Sequence, residues 1–81
     1  MNVIVYATNH NPECNILRKF LRDYEIAYEL RNCSTHPDYF VDVKAYGFLG
    51  VPVTVINGKA IQGLKPDEII KELEKEKTPG Q

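Results

Sequence analysis

The apolar residues of this 81-residue chain change their spacing along its length in a way that predicts alternating strands and helices. A β-branched and aromatic run over residues 3–6 is typical of a buried strand. From residue 12 to about residue 24 the apolar positions recur at helical spacing, and residues 26–31 alternate weakly as a second strand. A second helix is predicted to end near residue 46, where Gly47 stops it. The apolar, inner face of the first helix is assigned to Ile16, Leu17, Phe20, Leu21 and Tyr24, and charged residues fill the opposite face.

The second half of the chain predicts a hairpin followed by a helix. Residues 53–56 and 59–62 flank Asn57-Gly58, and this dipeptide favours a type I′ turn because both central residues need positive φ. A last helix is predicted from residue 66. The resulting order is β-α-β-α-β-β-α, in which the first two strands must be parallel and are joined by a right-handed helical crossover. The expected class is α/β, with a four-stranded mixed sheet and helices on both faces.

Composition limits the kinds of protein this chain can be. A net charge of −1 gives no electrostatic reason to expect a nucleic acid or acidic lipid partner. No segment is apolar enough for a membrane span, and the N-terminus lacks the features of a signal peptide. Two cysteines are too few for a secreted disulfide framework. We therefore expect a cytoplasmic monomer without nucleic acid or membrane partners, formed by one domain over residues 1–77 and a flexible tail over residues 78–81.

The segment before the first helix carries the candidate chemistry. Asn11 followed by Pro12 predicts a helix start, with Asn11 as N-cap and Pro12 at the first helical position. Cys14 then falls at the third helical position, within reach of the positive end of the helix dipole. The negative charge of Glu13 opposes ionisation of that thiol. Two interpretations of Cys14 stay open: a reactive thiol, or a small buried residue.

Three local features resemble the glutaredoxin family of the thioredoxin superfamily, and the likeness extends from Val3 to about Leu73. They are Tyr6-x-Thr8-x-x-Asn11-Pro12-x-Cys14, Gly50-Val51-Pro52-Val53-Thr54 and Gly63-Leu64-Lys65-Pro66-Asp67. The resemblance implies a thioredoxin-like fold and a thiol-disulfide redox protein.

The same resemblance places the family's attacking cysteine, the first of a Cys-Pro-x-Cys pair, at position 11. Here that position is Asn11, which cannot attack a disulfide or carry a thiolate. The family is one of disulfide oxidoreductases, so whether this relative is still an enzyme stays open. Asn11, Pro12 and Cys14 would form the altered site. Cys14 would form mixed disulfides with a protein thiol or glutathione, with weak or no dithiol reductase turnover.

The resemblance also implies a substrate-binding side. The Val51–Pro52 bond should be cis, which presents the backbone of Val51 to an extended thiol-containing peptide. Gly63 would permit close approach of that peptide, and Leu64 follows it. The sequence after Gly63 is more similar to small redoxins that thioredoxin reductase reduces than to glutathione-using members. We expect a thiol- or disulfide-containing protein as partner, thioredoxin reductase or glutathione as reductant, and no bound cofactor.

Several alternatives remain at this end of the sheet. Cys33 follows the second strand, so parallel pairing places it near the loop of Asn11; it is either a second thiol for Cys14 or a small apolar residue. Two histidines and two cysteines could in principle hold zinc, but Pro12 stiffens one half and the spacing fits no familiar zinc motif, so no metal is expected. The alternative to a redox function is binding without catalysis. The chain would then be a non-catalytic relative with the thioredoxin fold that binds cysteine-containing peptides or partners.

Overall fold

A computed structural model describes residues 2–77 of the chain, and side chains as far as residue 75. The elements follow the predicted order. They are β1 (Val3–Ala7), α1 (Pro12–Asp23), β2 (Glu29–Asn32), α2 (Tyr39–Ala45), β3 (Val53–Ile56), β4 (Lys59–Gln62) and α3 (Pro66–Lys77). The predicted tail, residues 78–81, lies outside the described residues. Over residues 2–77, no helix combines the length and apolar character that crossing a bilayer requires.

The four strands form one mixed sheet in the order β2-β1-β3-β4. β1 pairs in parallel with β2 and antiparallel with β3, and β3 continues into β4 as an antiparallel hairpin. Val5 at the centre of β1 lies opposite Leu30 on one side and Thr54 on the other. The parallel crossover and the mixed sheet predicted from the sequence are confirmed.

The sheet has a core on each face, because successive side chains of β1 point to opposite sides. Val3 and Val5 pack under α1 and α3, whereas Tyr6 packs under α2. The first cluster includes Val3, Val5, Ala7, Cys14, Leu17, Leu21, Ile56, Ile61, Ile69 and Leu73. The second is made by Tyr6, Cys33, Val43, Val53 and Val55. Helices therefore cover both faces, as predicted.

Helix α1 buries a narrower stripe than the sequence pattern predicts. Cys14, Leu17 and Leu21 are almost completely buried, and each leucine contributes about 1.5–3 kcal/mol of burial free energy. Ile16 and Tyr24, which were assigned to the same inner face, are 53% and 62% exposed, so those two assignments are wrong. The buried row of α1 consists of Cys14, Leu17 and Leu21, and Ile16 lies outside that row. Tyr24 follows the last helical residue, Asp23, as the C-cap.

Two local features predicted from the sequence, the hairpin turn and the start of the second strand, differ in outcome. Asn57 and Gly58 have φ of 47° and 92°, which confirms the type I′ hairpin. The second strand, however, begins at Glu29 rather than at residue 26. The backbone N–H of Ile26 donates to the carbonyl of Leu21 (2.8 Å), and Glu25 has a φ of 56°. Residues 25 and 26 therefore still close the end of α1 and cannot join the sheet.

Candidate functional site

The loop between β1 and α1 holds Asn11 as the N-cap of α1, as the sequence predicted. Its backbone is extended (φ −100°, ψ 113°), and its Oδ1 accepts from the backbone N–H groups of Glu13 (3.0 Å) and Cys14 (3.2 Å). Pro12 occupies the first helical position, where a missing N–H costs nothing. The amide of Asn11 thus occupies two of the free donors at the positive end of α1.

The thiol of Cys14 faces the core, and only 1% of the residue is exposed. This burial raises the pKa of Cys14, while hydrogen bonds from the backbone and side chain of Thr8 act in the opposite direction. The charge of Glu13 raises the pKa further, and that of Arg18 lowers it by the smallest contribution. The net shift is upward, so Cys14 is protonated and covered at neutral pH.

Thr8 is a functional neighbour that sequence reasoning missed. It stands in the first motif, but no role followed from its position alone. Hydrogen bonding from its backbone and its side chain lowers the pKa of the Cys14 thiol. The sequence feature that could have identified Thr8 is its hydroxyl directly after the buried end of β1, where the chain turns toward the start of α1. Thr8 is therefore the residue that would stabilise a thiolate at Cys14 if one formed.

Cys33 lies at the same end of the sheet as Cys14 but on the opposite face. Its backbone N–H donates to the carbonyl of Ala7 (2.8 Å), and 7% of the residue is exposed. It packs in the cluster under α2, whereas Cys14 packs under α1 and α3. Burial is the main cause that raises the pKa of Cys33, and the neighbouring Cys14 and Asp42 raise it further. Both cysteines are free thiols in this structure.

The loop before β3 forms the other side of the site. Val53 pairs with Tyr6, and antiparallel pairing brings Pro52 alongside the end of β1. The Val51–Pro52 peptide bond is cis, and Pro52 is buried. The carbonyl of Pro52 accepts from the N–H of Gly63 (2.8 Å), which joins this loop to the one before α3. The predicted residues of this side are therefore adjacent to one another.

The loop of Val51 and Pro52, together with Gly63 and Leu64, is called here the proline side. Within the residues that the structure describes, it offers unpaired backbone groups and open space. Val51 is half-buried and packs on both core clusters, and among residues 2–77 its own N–H and C=O make no backbone hydrogen bond. Gly63 has a φ of 92°, and a Cβ added there would meet only the Cε of Lys65, at 4.0 Å. Leu64 is half-buried against the cluster under α1 and α3. A peptide backbone thus has both partners and room here.

A buried phenol under α2 supports this end of the sheet. The hydroxyl of Tyr6 donates to Asp42 Oδ2 (3.0 Å) and accepts from Arg31 Nη1 (2.9 Å). The guanidinium of Arg31 also lies 5.6 Å from the ring centre of Tyr6 and pairs with Glu29. Burial, then the hydrogen bond to Asp42, raises the pKa of Tyr6, so its hydroxyl stays neutral. This network ties β1, β2 and α2 together next to Cys33.

The histidines and cysteines considered for zinc do not form a metal cluster in the described part of the chain. No group of three or more histidine, cysteine or acidic side chains there lies close enough to hold a metal ion. Cys14 points into the core, and the ring of His36 lies 5.3 Å from that of Tyr39.

Comparison with known proteins agrees with this fold. The glutaredoxin family model matches residues 3–61. The glutaredoxin-like protein NrdH of Lactococcus lactis subsp. lactis is 32% identical over 69 residues, which cover 85% of this chain and 96% of the relative. The solved structure of the glutaredoxin-like NrdH-redoxin from Escherichia coli superposes with a TM-score of 0.81 at 22% identity, covering 88% of this chain and 93% of that one. The solved structure of the glutaredoxin from Archaeoglobus fulgidus superposes with a TM-score of 0.82 at 19% identity. The match covers 89% of this chain and 85% of that one.

The fold and the family match together define the class of protein. The architecture is the thioredoxin-like α/β fold predicted from the sequence, which is thereby confirmed. The chain belongs to the glutaredoxin family. Within it, the chain is a glutaredoxin-like thiol-disulfide redox protein similar to NrdH proteins.

Proposed function

We propose that this chain binds thiol- or disulfide-containing proteins through an intact glutaredoxin-like scaffold, with weak or no dithiol reductase turnover. One observation carries the proposal. The Oδ1 of Asn11 accepts from the N–H groups of Glu13 and Cys14, which are the donors that would stabilise a thiolate at position 11. A carboxamide oxygen satisfies those donors but cannot act as the sulfur nucleophile of disulfide exchange. Asn11 and Pro12 thus preserve the start of α1 but supply no nucleophile for disulfide exchange.

Cys14 is the thiol left for one-cysteine chemistry. Its thiolate would attack one sulfur of a disulfide, forming a mixed disulfide at Cys14 and releasing the other half as a thiolate. Because Cys14 is buried and protonated, this step requires a local opening at the start of α1 and is slow. Cys33 is free but packs on the other face, so resolution of the mixed disulfide by Cys33 would need further movement of the chain.

The proline side supplies the binding surface in this proposal. An extended segment of the partner pairs with the free N–H and C=O of Val51, beside Pro52, as an added strand. Gly63 leaves room for the partner's backbone, and Leu64 offers an apolar contact next to it. These groups act through backbone position and shape, so the loss of a nucleophile at position 11 leaves them unchanged.

The proposed reductant is a thioredoxin reductase, with glutathione as the alternative. The NrdH-redoxin of Escherichia coli, whose structure superposes on this chain, has a thioredoxin-like activity profile. We further propose that the protein acts as a cytoplasmic monomer without a bound cofactor, in one domain over residues 1–77.

A second function is favoured by the burial of Cys14. A thiol that is 1% exposed and has a raised pKa suits a non-catalytic relative that only binds cysteine-containing peptides. The two functions differ in one property. One-cysteine chemistry needs measurable reaction of Cys14 with a disulfide, whereas the binding function needs none.

The test is incubation of the native protein with glutathione disulfide or a cystine-containing peptide, followed by mass spectrometry of the modified residue. A slow mixed disulfide at Cys14 supports one-cysteine chemistry, and an unmodified protein that still binds the peptide supports the second function. A parallel assay follows repeated reduction of a protein disulfide with dithiothreitol or a thioredoxin reductase. Rapid multiple turnover by the native chain would contradict both functions.

A further inference from the structure

Two loops at the site end of the sheet are joined by a closed ring of side-chain hydrogen bonds. Asn32 Nδ2 donates to Asn9 Oδ1 (2.9 Å), and Asn32 Oδ1 accepts from the backbone N–H of Ser34 (2.8 Å). The hydroxyl oxygen of Ser34 in turn accepts from the backbone N–H of Asn9 (2.9 Å). We name Asn9, Asn32 and Ser34 the loop clamp. Asn32 is its centre, because its amide uses both ends to connect the two loops.

The loop clamp ends next to a residue with an uncommon backbone conformation. His10, between Asn9 and Asn11, has a φ of 60°, a value that residues other than glycine seldom adopt. Such a conformation persists where the surrounding contacts determine it. Asn9 holds the chain on one side of His10, and the cap contacts of Asn11 hold it on the other. The loop clamp and the cap contacts of Asn11 therefore hold the two sides of His10.

The loop clamp also spans the second thiol. Cys33 lies between Asn32 and Ser34, and its N–H bonds to the end of β1. With both neighbours held, Cys33 stays 7% exposed under α2. One set of hydrogen bonds thus fixes the cap loop on one side and covers a free thiol on the other.

We propose that Asn32 is a positioning residue, which through Asn9 and Ser34 holds the position-11 side chain against the first turn of α1 and keeps Cys33 covered. The inference deepens the proposed function and rests on it, since position 11 is where that function places the family's nucleophile. Loss of the clamp loosens both loops together, while the sheet and the proline side remain.

The first test measures the pKa of a thiol placed at the cap. In an Asn11→Cys background, the alkylation rate against pH gives the pKa of the introduced thiol with and without Asn32→Ala. We expect Asn32→Ala to raise that pKa, because the sulfur no longer stays in line with the N–H groups of Glu13 and Cys14. Asn32→Gln should recover most of the shift, since it keeps an amide donor and an amide acceptor without adding charge.

The second test uses the native cysteines. Asn32→Ala should speed alkylation of Cys33 by about fivefold, the size expected for loss of a net hydrogen bond, and the uncharged variant Asn32→Gln should leave the rate near that of the native chain. Ile61→Val is the matched control, because it weakens the core at β4, the opposite edge of the sheet. The free energy of unfolding of both variants is measured by urea denaturation. This comparison separates a global loss of stability from local opening of the loop clamp.

Unchanged pKa and alkylation rate in Asn32→Ala would overturn the proposal, as would an equal effect from Ile61→Val. If Asn32→Ala does not fold, Asn9→Ala and Ser34→Ala remove other hydrogen bonds of the loop clamp. Each should also raise the pKa of the introduced thiol and speed alkylation of Cys33. Neither readout needs turnover. A lack of reductase activity in the Asn11→Cys protein would therefore count against the proposed function alone.

Discussion

The loop before α1 and the loop before β3 meet at the end of β1, yet they retain different parts of a redox site. The helix side has Asn11 capping α1 and Cys14 turned into the core. The proline side has a cis bond before Pro52, a free backbone at Val51 and open space at Gly63. Binding on the proline side depends on backbone geometry, whereas chemistry on the helix side depends on one sulfur atom. Asparagine can therefore replace that sulfur without disturbing the fold, because it is also a good N-cap.

The largest expected effect tests whether the two sides are separable. Asn11→Cys should raise the turnover of a protein disulfide by about a thousandfold or more, since loss of a nucleophile usually costs at least this much. The measurement is repeated reduction of the substrate with dithiothreitol as the electron source. Asn11→Ser is the control, because it keeps a capping oxygen and supplies no thiol. Failure of Asn11→Cys to gain activity would mean that the proline side is not competent.

The next effect concerns the two buried thiols, Cys14 on the helix side and Cys33 on the opposite face of the sheet. The pKa values of Cys14 and Cys33 are raised in the folded protein, so the unfolded chain loses these protons first as pH rises. Stability contributed by the protonated thiols is present below the ordinary thiol pKa of about 8.5 and is lost above it, by up to about 1.4 kcal/mol per pH unit for each thiol. Urea unfolding between about pH 8 and pH 9.5 measures this slope. Cys14→Ala should reduce it, and an identical slope would contradict burial of Cys14.

The proline side is tested by Gly63→Ala, which should cost about 1–2 kcal/mol because its φ of 92° disfavours a side chain. Gly58 has the same φ of 92° with open space around it, so Gly58→Ala is a matched control for backbone strain away from the site. In the Asn11→Cys background, only Gly63→Ala should also raise KM for a protein disulfide. Equal KM values for the two variants would show that Gly63 is a plain turn residue.

The smallest effect concerns the cap itself. Asn11→Ala should lower the free energy of unfolding by about 1 kcal/mol, because the N–H groups of Glu13 and Cys14 lose their acceptor. Asn11→Asp should retain most of the stability, since a carboxylate is favoured at the positive end of a helix. Urea denaturation of the three proteins measures the difference. A stable Asn11→Ala protein would mean that these donors have other partners.

Much of the architecture was predictable because it follows from short-range preferences. Asn57-Gly58 selects a type I′ turn wherever it joins two strands, and Asn11-Pro12 starts a helix with a cap already in place. The element order then follows from periodicity, and the helix between the first two strands is the connection that parallel strands need. These properties depend on neighbours in the chain, so the sequence alone determined them.

The tertiary structure decided which of these residues can react. Periodicity assigned Ile16 and Tyr24 to the inner face of the first helix, but the packed structure leaves them exposed while Cys14 is buried. The separation of Cys14 and Cys33 onto opposite faces of the sheet depends on strands paired across distant parts of the chain. The amino-acid sequence by itself determined that position 11 lacks a thiol and that a helix begins there. Only the packed structure shows the remaining thiols protonated and covered, because burial and electrostatic surroundings are properties of the whole fold.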